Sequence, residues 1–180
     1  MYPPKEDSCL LAETLKKFFK NKNKTPSLKG KKFLDMGSGS GIQAETLLKF
    51  AIKENITCAD IDKEAVLYLK NKGFNAIHSD LFSKVNGKFD YIIFNPPYLP
   101  EDEYDKAKDT TGGKKGDETV LNFLKQAKDH LKKGGMIFLL LSSLTPRERI
   151  NKILTKNCKY KKLAEKKLFF ETLEVWLIKV

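Results

Sequence analysis

Apolar and polar positions along the chain switch repeatedly between a helical period and short apolar runs. Leu11, Leu15, Phe18 and Phe19 recur at helical spacing behind Asp7 and Ser8, either of which can cap a helix. Asn21 to Lys32, rich in Lys and Asn and holding Pro26 and Gly30, reads as a surface loop. Strand and helix then alternate. Lys32–Met36 is a predicted strand, Ile42–Lys53 a helix, Asn55–Asp60 a strand and Lys63–Lys72 a helix. Ala76–Ser79 and Phe89–Asn95 are further strands. Asp117–Lys133 is a helix ending at Gly134 and Gly135, where glycine takes the left-handed C-terminal conformation. Met136–Leu141 is a fifth strand, a helix follows from Pro146, and Tyr160–Lys167 and Phe170–Val180 close the chain as strands. This order predicts an α/β fold, a doubly wound and mostly parallel seven-stranded sheet covered on both faces, with a C-terminal antiparallel hairpin. Leu99–Gly116 has no periodicity but holds five acids and three glycines, and loops of that length in compact domains are often functional lids.

Composition narrows the class. A length of 180 residues predicts one domain, 1–180, with residues 1–30 as an N-terminal helix and covering segment. At 41% hydrophobic and 32% charged residues the chain can build a core. No apolar run approaches the roughly 20 residues of a membrane span, and MYPPKEDS lacks the pattern of a signal peptide, so the expected location is cytoplasmic. Cys9, Cys58 and Cys158 lie far apart, and His78 and His130 add no cluster, which excludes a disulfide framework and argues against a metal site. The formal net charge of +11 points toward an acidic partner, yet the arginines are only Arg147 and Arg149 and the lysines are spread along the chain. A base-reading surface would use more arginine.

Two stretches carry chemistry. After the first predicted strand stands Asp35-Met36-Gly37-Ser38-Gly39-Ser40-Gly41. Glycines suit a sharp strand-to-helix turn that a ligand approaches closely, in the crevice at the carboxyl ends of parallel strands. Ile42 stands where the dinucleotide fingerprint needs a third glycine, and no Gly-Lys-Ser/Thr marks a phosphate loop. The remaining pattern is the one found in S-adenosylmethionine (SAM) enzymes. Asp60, ending the second strand, fits a ribose diol, and Asp80 after the third fits an adenine amine; each is also an ordinary loop or cap residue. Asn95-Pro96-Pro97-Tyr98 follows the fourth strand. A proline-terminated turn explains one proline. An amide, two prolines and an aromatic together fit methylation of a planar NH2 group. The Asn95 oxygen and the Pro96 carbonyl accept one hydrogen each, the prolines stiffen the turn, and Tyr98 offers a flat face. Positioning carries such a reaction without a general base, because the nitrogen turns acidic only once methylated.

Together these residues resemble the class I SAM-dependent amino-methyltransferases, and within them the HemK-like glutamine methyltransferases of peptide-chain release factors. Tyr2-x-Pro4-x-Glu6-Asp7-Ser8, Gly112-Gly113 with Gly116 to Leu124, and Leu168-Phe169-Phe170-Glu171 are similar to the short eukaryotic and archaeal branch. The resemblance implies SAM as cofactor, contacted by Ser8, Asp35, Gly37, Gly39, Asp60, Asp80, Leu81 and Asn95, and Asn95 to Tyr98 as the catalytic segment. It implies as acceptor the glutamine of the Gly-Gly-Gln motif in a class 1 release factor, and a small zinc-binding activator pairing along a sheet edge, for which the short third strand is the candidate. Residues 2–8 are expected to fold back over the cofactor. A DNA or RNA amine is the alternative acceptor, because Asn-Pro-Pro-Tyr also suits adenine N6 and the net charge suits phosphates.

Overall fold

The computed structural model describes residues 4–22, 28–98 and 113–179. Tyr2, residues 23–27 of the lysine-rich loop, and residues 99–112 of the expected lid, with Gly112, lie outside the described residues. After helix α1 (Glu6–Lys22) the elements are β1 (Phe33–Met36), α2 (Ile42–Leu47), β2 (Ile56–Asp60), α3 (Lys63–Asn71), β3 (Asn75–His78) and β4 (Phe89–Phe94). Then come α4 (Glu118–Ala127), β5 (Leu131–Ser142), α5 (Glu148–Asn157), β6 (Lys159–Lys167) and β7 (Thr172–Lys179). The seven strands form one sheet in the order β3-β2-β1-β4-β5-β7-β6. β3, β2, β1, β4 and β5 run parallel, and β7 is antiparallel to both its neighbours. The expected doubly wound sheet with a terminal hairpin is what forms.

Alternation along the strands sorts side chains onto two faces. Phe33, Tyr91, Ile93 and Phe138 meet α1, α2 and α3 through Leu11, Leu15, Phe19, Leu47 and Leu69. Leu34, Met36, Ile92, Phe94 and Leu139 meet α4 and α5 through Phe123, Leu124, Ile150 and Leu154. Phe19 is fully buried, edge-on to Phe33 at 5.7 Å and to Tyr91 at 5.0 Å. Those contacts pin α1 across the sheet and fix where its first turn sits.

Two boundaries depart from the periodicity. The helix expected to reach Lys53 stops at Leu47, because Phe50 N–H bonds back to the Leu47 carbonyl at 2.9 Å, tightening the chain so that Phe50 and Ala51 reach the core. The helix expected over Asp117–Lys133 ends at Ala127, and β5 begins at Leu131. Leu131 pairs with Phe89 while Met136 pairs with Tyr91, so residues 132–135 bulge opposite Asp90. Gly134 does take a left-handed conformation (φ 76°), but in this bulge and not as a helix cap. Burial raises the Asp90 carboxyl, but hydrogen bonds from Lys132, the Lys32 N–H and Lys31 outweigh it and hold the group below its ordinary range. A side chain on Gly135 would come within 2.9 Å of the Lys132 carbonyl oxygen and of Leu131. Gly135→Ala is therefore expected to destabilise by about 1–3 kcal/mol, read as a lowered urea midpoint with unchanged slope.

Candidate active site

The cleft lies where β1 and β4 end side by side. Met36 pairs with Phe94, so the turns that leave these two strands, toward α2 and toward residues 95–98, start as neighbours. Gly37 leaves β1 with φ 61°, its N–H bonded to the Ala59 carbonyl at 2.7 Å. A Cβ there would meet the Phe94 ring at 3.3 Å. Gly41, at φ 82°, is closed on the other side: a Cβ would come within 2.5 Å of Leu69 on α3. At both positions the positive φ favours glycine, and a Cβ would also press on the Phe94 ring or the Leu69 side chain. Asp60 ends β2 nearly buried, its two oxygens accepting the Gly39 N–H at 2.7 Å and the Asp62 N–H at 2.8 Å. The second-strand carboxylate thus holds the glycine turn directly.

Across the cleft, the Asn95 amide nitrogen donates to Asp7 Oδ2 at 3.2 Å and Ser8 Oγ at 3.3 Å. Its Oδ1 is buried and has no partner among the described residues. The donor end of the amide is engaged and the acceptor end is left over, which fixes the flip of the group. Gln43 on α2 repeats the pattern, donating to the Ser8 carbonyl at 2.9 Å with Oε1 left over. Together with Lys5–Ser8, Gly37–Ser40, Asp60–Asp62, Asn95–Tyr98 and the hairpin residues Leu168, Glu171 and Leu173, they line a cleft of about 330 Å³, within the size range of small-ligand sites.

Of the expected site residues, the fold brings Ser8, Gly37, Gly39, Asp60, Asn95, Pro96, Pro97 and Tyr98 onto this one cleft. Asp35, Asp80 and Leu81 do not line it. Asp35 lies beneath the turn, 1% exposed, with Oδ2 accepting the Ala44 N–H at 3.1 Å and Oδ1 without a partner among the described residues. Asp80 is exposed, and Leu81, at φ 44°, packs toward the α4 face. Asp7 and Gln43 belong to the cleft wall and were not in the expected set. Asp7 had a legible signal: it stands four residues before Leu11 on the stripe that continues through Leu15 and Phe19, so the stripe that enters the core begins with a carboxylate. Leu168 and Glu171 were legible only as part of the Leu168-Phe169-Phe170-Glu171 resemblance, and their place in the wall comes through sheet order. Of the expected covering segment, Lys5–Ser8 line the cleft together with the glycine turn, in and just before the first turn of α1.

A doubly wound sheet with an antiparallel β7, and a glycine turn facing Asn-Pro-Pro-Tyr, define a methyltransferase. The model of the methyltransferase small domain family matches residues 7–171, and the chain belongs to that family. It is a SAM-dependent methyltransferase. It is 37% identical over 97% of its length to a candidate protein N5-glutamine methyltransferase of Methanocaldococcus jannaschii, covering 89% of that protein. It is 34% identical to the ribosomal RNA small subunit methyltransferase C of Haemophilus influenzae over 66% of this chain and 34% of that protein. Among solved structures it is similar to the E. cuniculi Mtq2–Trm112 complex responsible for methylating the eRF1 termination factor, with TM-score 0.76 and 26% identity, over 99% of this chain and 97% of that one.

Burial pushes the Asp35 carboxyl up to about 8; the Ala44 N–H pulls it down, and the nearby Asp60 carboxylate adds to the rise. The unfolded chain ionises near 3.8, so between that pH and about 8 the folded state holds the extra proton and loses stability as pH rises. Above about 8 both states are ionised and the loss levels off. Asp35→Asn removes this titration. Its melting temperature relative to wild type is expected to climb from acid pH to about pH 8 and then stay flat, measured by calorimetry across buffers.

Proposed function

We propose that the protein transfers a methyl group from SAM to the side-chain amide nitrogen of the glutamine in the Gly-Gly-Gln motif of a class 1 release factor. The observation that carries this reading is the Asn95 Oδ1, a buried acceptor without a partner, aimed by the Asp7 and Ser8 contacts on the other end of its amide. The names of the Methanocaldococcus protein and of the Mtq2–Trm112 complex support the acceptor. A cytoplasmic place of action goes with it.

The residues present fit SAM: a turn of three glycines with positive φ, a carboxylate at the end of β2, and leftover amide oxygens on Gln43 and Asn95. SAM supplies a methyl group on a positively charged sulfur. Gly37 and Gly39 let the backbone approach it, Asp60 accepts the ribose hydroxyls, and Ser8 closes the far side. Asp35 acts from below, holding α2 through the Ala44 N–H. Asp80 and Leu81 stand at the end of β3, where an adenine would extend. Asn95 Oδ1 and the Pro96 carbonyl take one amide hydrogen each and keep the nitrogen in line. Pro97 fixes the turn, and Tyr98 covers the amide plane. The methylated nitrogen releases its proton to water at the cleft mouth. An acceptor held away from water binds an N–H more firmly than an exposed one, so positioning supplies the rate.

A ribosomal RNA amine is the second reading, favoured by the net charge and the Haemophilus relative. Both arginines, however, are held in ion pairs. Arg147 pairs with Glu174 at 2.8 Å and Arg149 with Asp117 and Glu118. The test is a tritiated-methyl assay comparing release factor, ribosomal RNA and duplex DNA. Transfer to release factor glutamine is expected, and transfer to nucleic acid alone overturns the reading. Asn95→Ala should lower the single-turnover rate by roughly 10²–10³ while circular dichroism shows the fold retained. A folded variant within about threefold of wild type (about 0.65 kcal/mol) would remove Asn95 from the mechanism.

The reading extends to a Trm112-type zinc-binding subunit. β3 is a sheet edge with one side of its backbone unpaired in the sheet, and α3 beside it exposes Leu67 and Tyr68. Co-expression with such a subunit is expected to raise both soluble yield and methyl transfer. Full activity from the isolated monomer would show that the edge needs no cover.

A further inference from the structure

The turn between β6 and β7 places its most apolar residues in solvent. Phe169 is 93% exposed and Phe170 84%, their rings edge-to-face with centroids 4.6 Å apart. The turn is held on both sides. Leu168 N–H bonds to the Glu171 carbonyl at 2.7 Å, Ser142 Oγ to the Glu171 carboxylate, and Thr172 N–H to Ser143 Oγ at 2.9 Å. Leu168 and Glu171, which flank the two rings, line the cleft with Asn95 to Tyr98. The rings therefore project from the rim of the catalytic cleft on a fixed support. Beside them Lys166 and Lys167 are exposed, with no carboxylate partner recorded among the described residues, whereas Lys162 in the same strand is engaged by Glu165 and Glu174.

We infer that this turn is the docking element for the methyl-acceptor protein, which seats an apolar socket flanked by acidic side chains on Phe169 and Phe170 beside the loop that carries its glutamine. The inference rests on the protein-acceptor reading above. The protein-acceptor reading makes the partner a protein, and the turn agrees with it: the edge-to-face pair presents a blunt apolar knob of two exposed rings, which an apolar socket covers. The knob is continuous with one wall of the cleft, so a protein that delivers an amide to Asn95 passes beside it. Rigid aromatic anchors with a charged rim are the usual composition of an energetic centre in a protein interface.

The test uses the full chain co-expressed with a Trm112-type subunit, with intact release factor as acceptor. The Phe169→Ser/Phe170→Ser variant is expected to raise KM for release factor about tenfold or more, leaving kcat, SAM affinity and melting temperature unchanged. Phe169→Leu/Phe170→Leu should recover part of the loss, and Lys166→Glu/Lys167→Glu should raise KM with a salt dependence. A KM within about twofold of wild type overturns the docking assignment while release factor methylation stands. No release factor methylation by the wild-type chain overturns the acceptor reading and the docking with it. A rise in KM confined to ribosomal RNA makes the knob a nucleic-acid contact and overturns the assignment to a protein.

Discussion

The site depends on the parallel pairing of β1 with β4. From β1 the chain crosses to β2 on one side, and from β4 it crosses to β5 on the other, so this pair is where the strand order reverses. Turns leaving such a pair diverge and open a crevice at the carboxyl ends of the strands. The register Met36 to Phe94 makes Gly37 and Asn95 neighbours, and the Phe94 ring fills the space where a side chain at 37 would stand. A slip of one residue would carry Phe94 to the other face and Asn95 out of the crevice. The glycine turn and the Asn95 amide are thus one geometric fact and not two sites brought together by loops.

A second dependence runs through α1. Its apolar stripe is packed by Phe19 against Phe33 and Tyr91, and the same stripe, continued back through Leu15 and Leu11, carries Asp7 inward. The carboxylate would be a poor choice there for stability, since burying a charged group is costly unless it is well hydrogen-bonded. It accepts from Ser8 and from Asn95. Packing energy on the far end of the helix is what holds a polar cluster at its near end. Substitutions that loosen Phe19 would therefore reach the cleft without touching it.

How much of this was legible follows from what is local. The strand ends, the glycine turn and Asn95 to Tyr98 are each written in a few consecutive residues, so their existence and order could be read from periodicity and turn chemistry. The α4 boundary could not. Leu131 reads as the next apolar residue of a helix, and only the presence of Phe89 opposite makes it a strand residue, with Gly134 and Gly135 absorbing the excess length. Asp80 entered the expected set as an acid after the third strand, Asp35 only through the family resemblance. In the fold Asp35 accepts from Ala44 on α2, Asp80 is exposed after β3, and Asp60 accepts the Gly39 N–H of the glycine turn. Leu168-Phe169-Phe170-Glu171 carried the resemblance as a local run, but that Leu168, Glu171 and Leu173 stand in the cleft wall needed the sheet order.

The buried polar groups left without partners complete the argument. Among the described residues five buried side-chain atoms lack one, and three of them, on Asp35, Gln43 and Asn95, lie in or directly under the cleft. A fold selected for stability alone would pair or replace such atoms, because each costs about 1–3 kcal/mol. Two of them, the amide oxygens of Gln43 and Asn95, belong to residues that line the cleft and leave acceptor capacity there. In the proposed reaction that capacity serves methyl transfer to nitrogen, whichever macromolecule bears that nitrogen. Choice of acceptor must be made above the floor, where the first turn of α1, Tyr98 and the residues flanking the β6–β7 turn line the cleft. Lys166 and Lys167 stand exposed beside that turn, while both arginines are held in ion pairs, so charge at the mouth can guide an acidic partner.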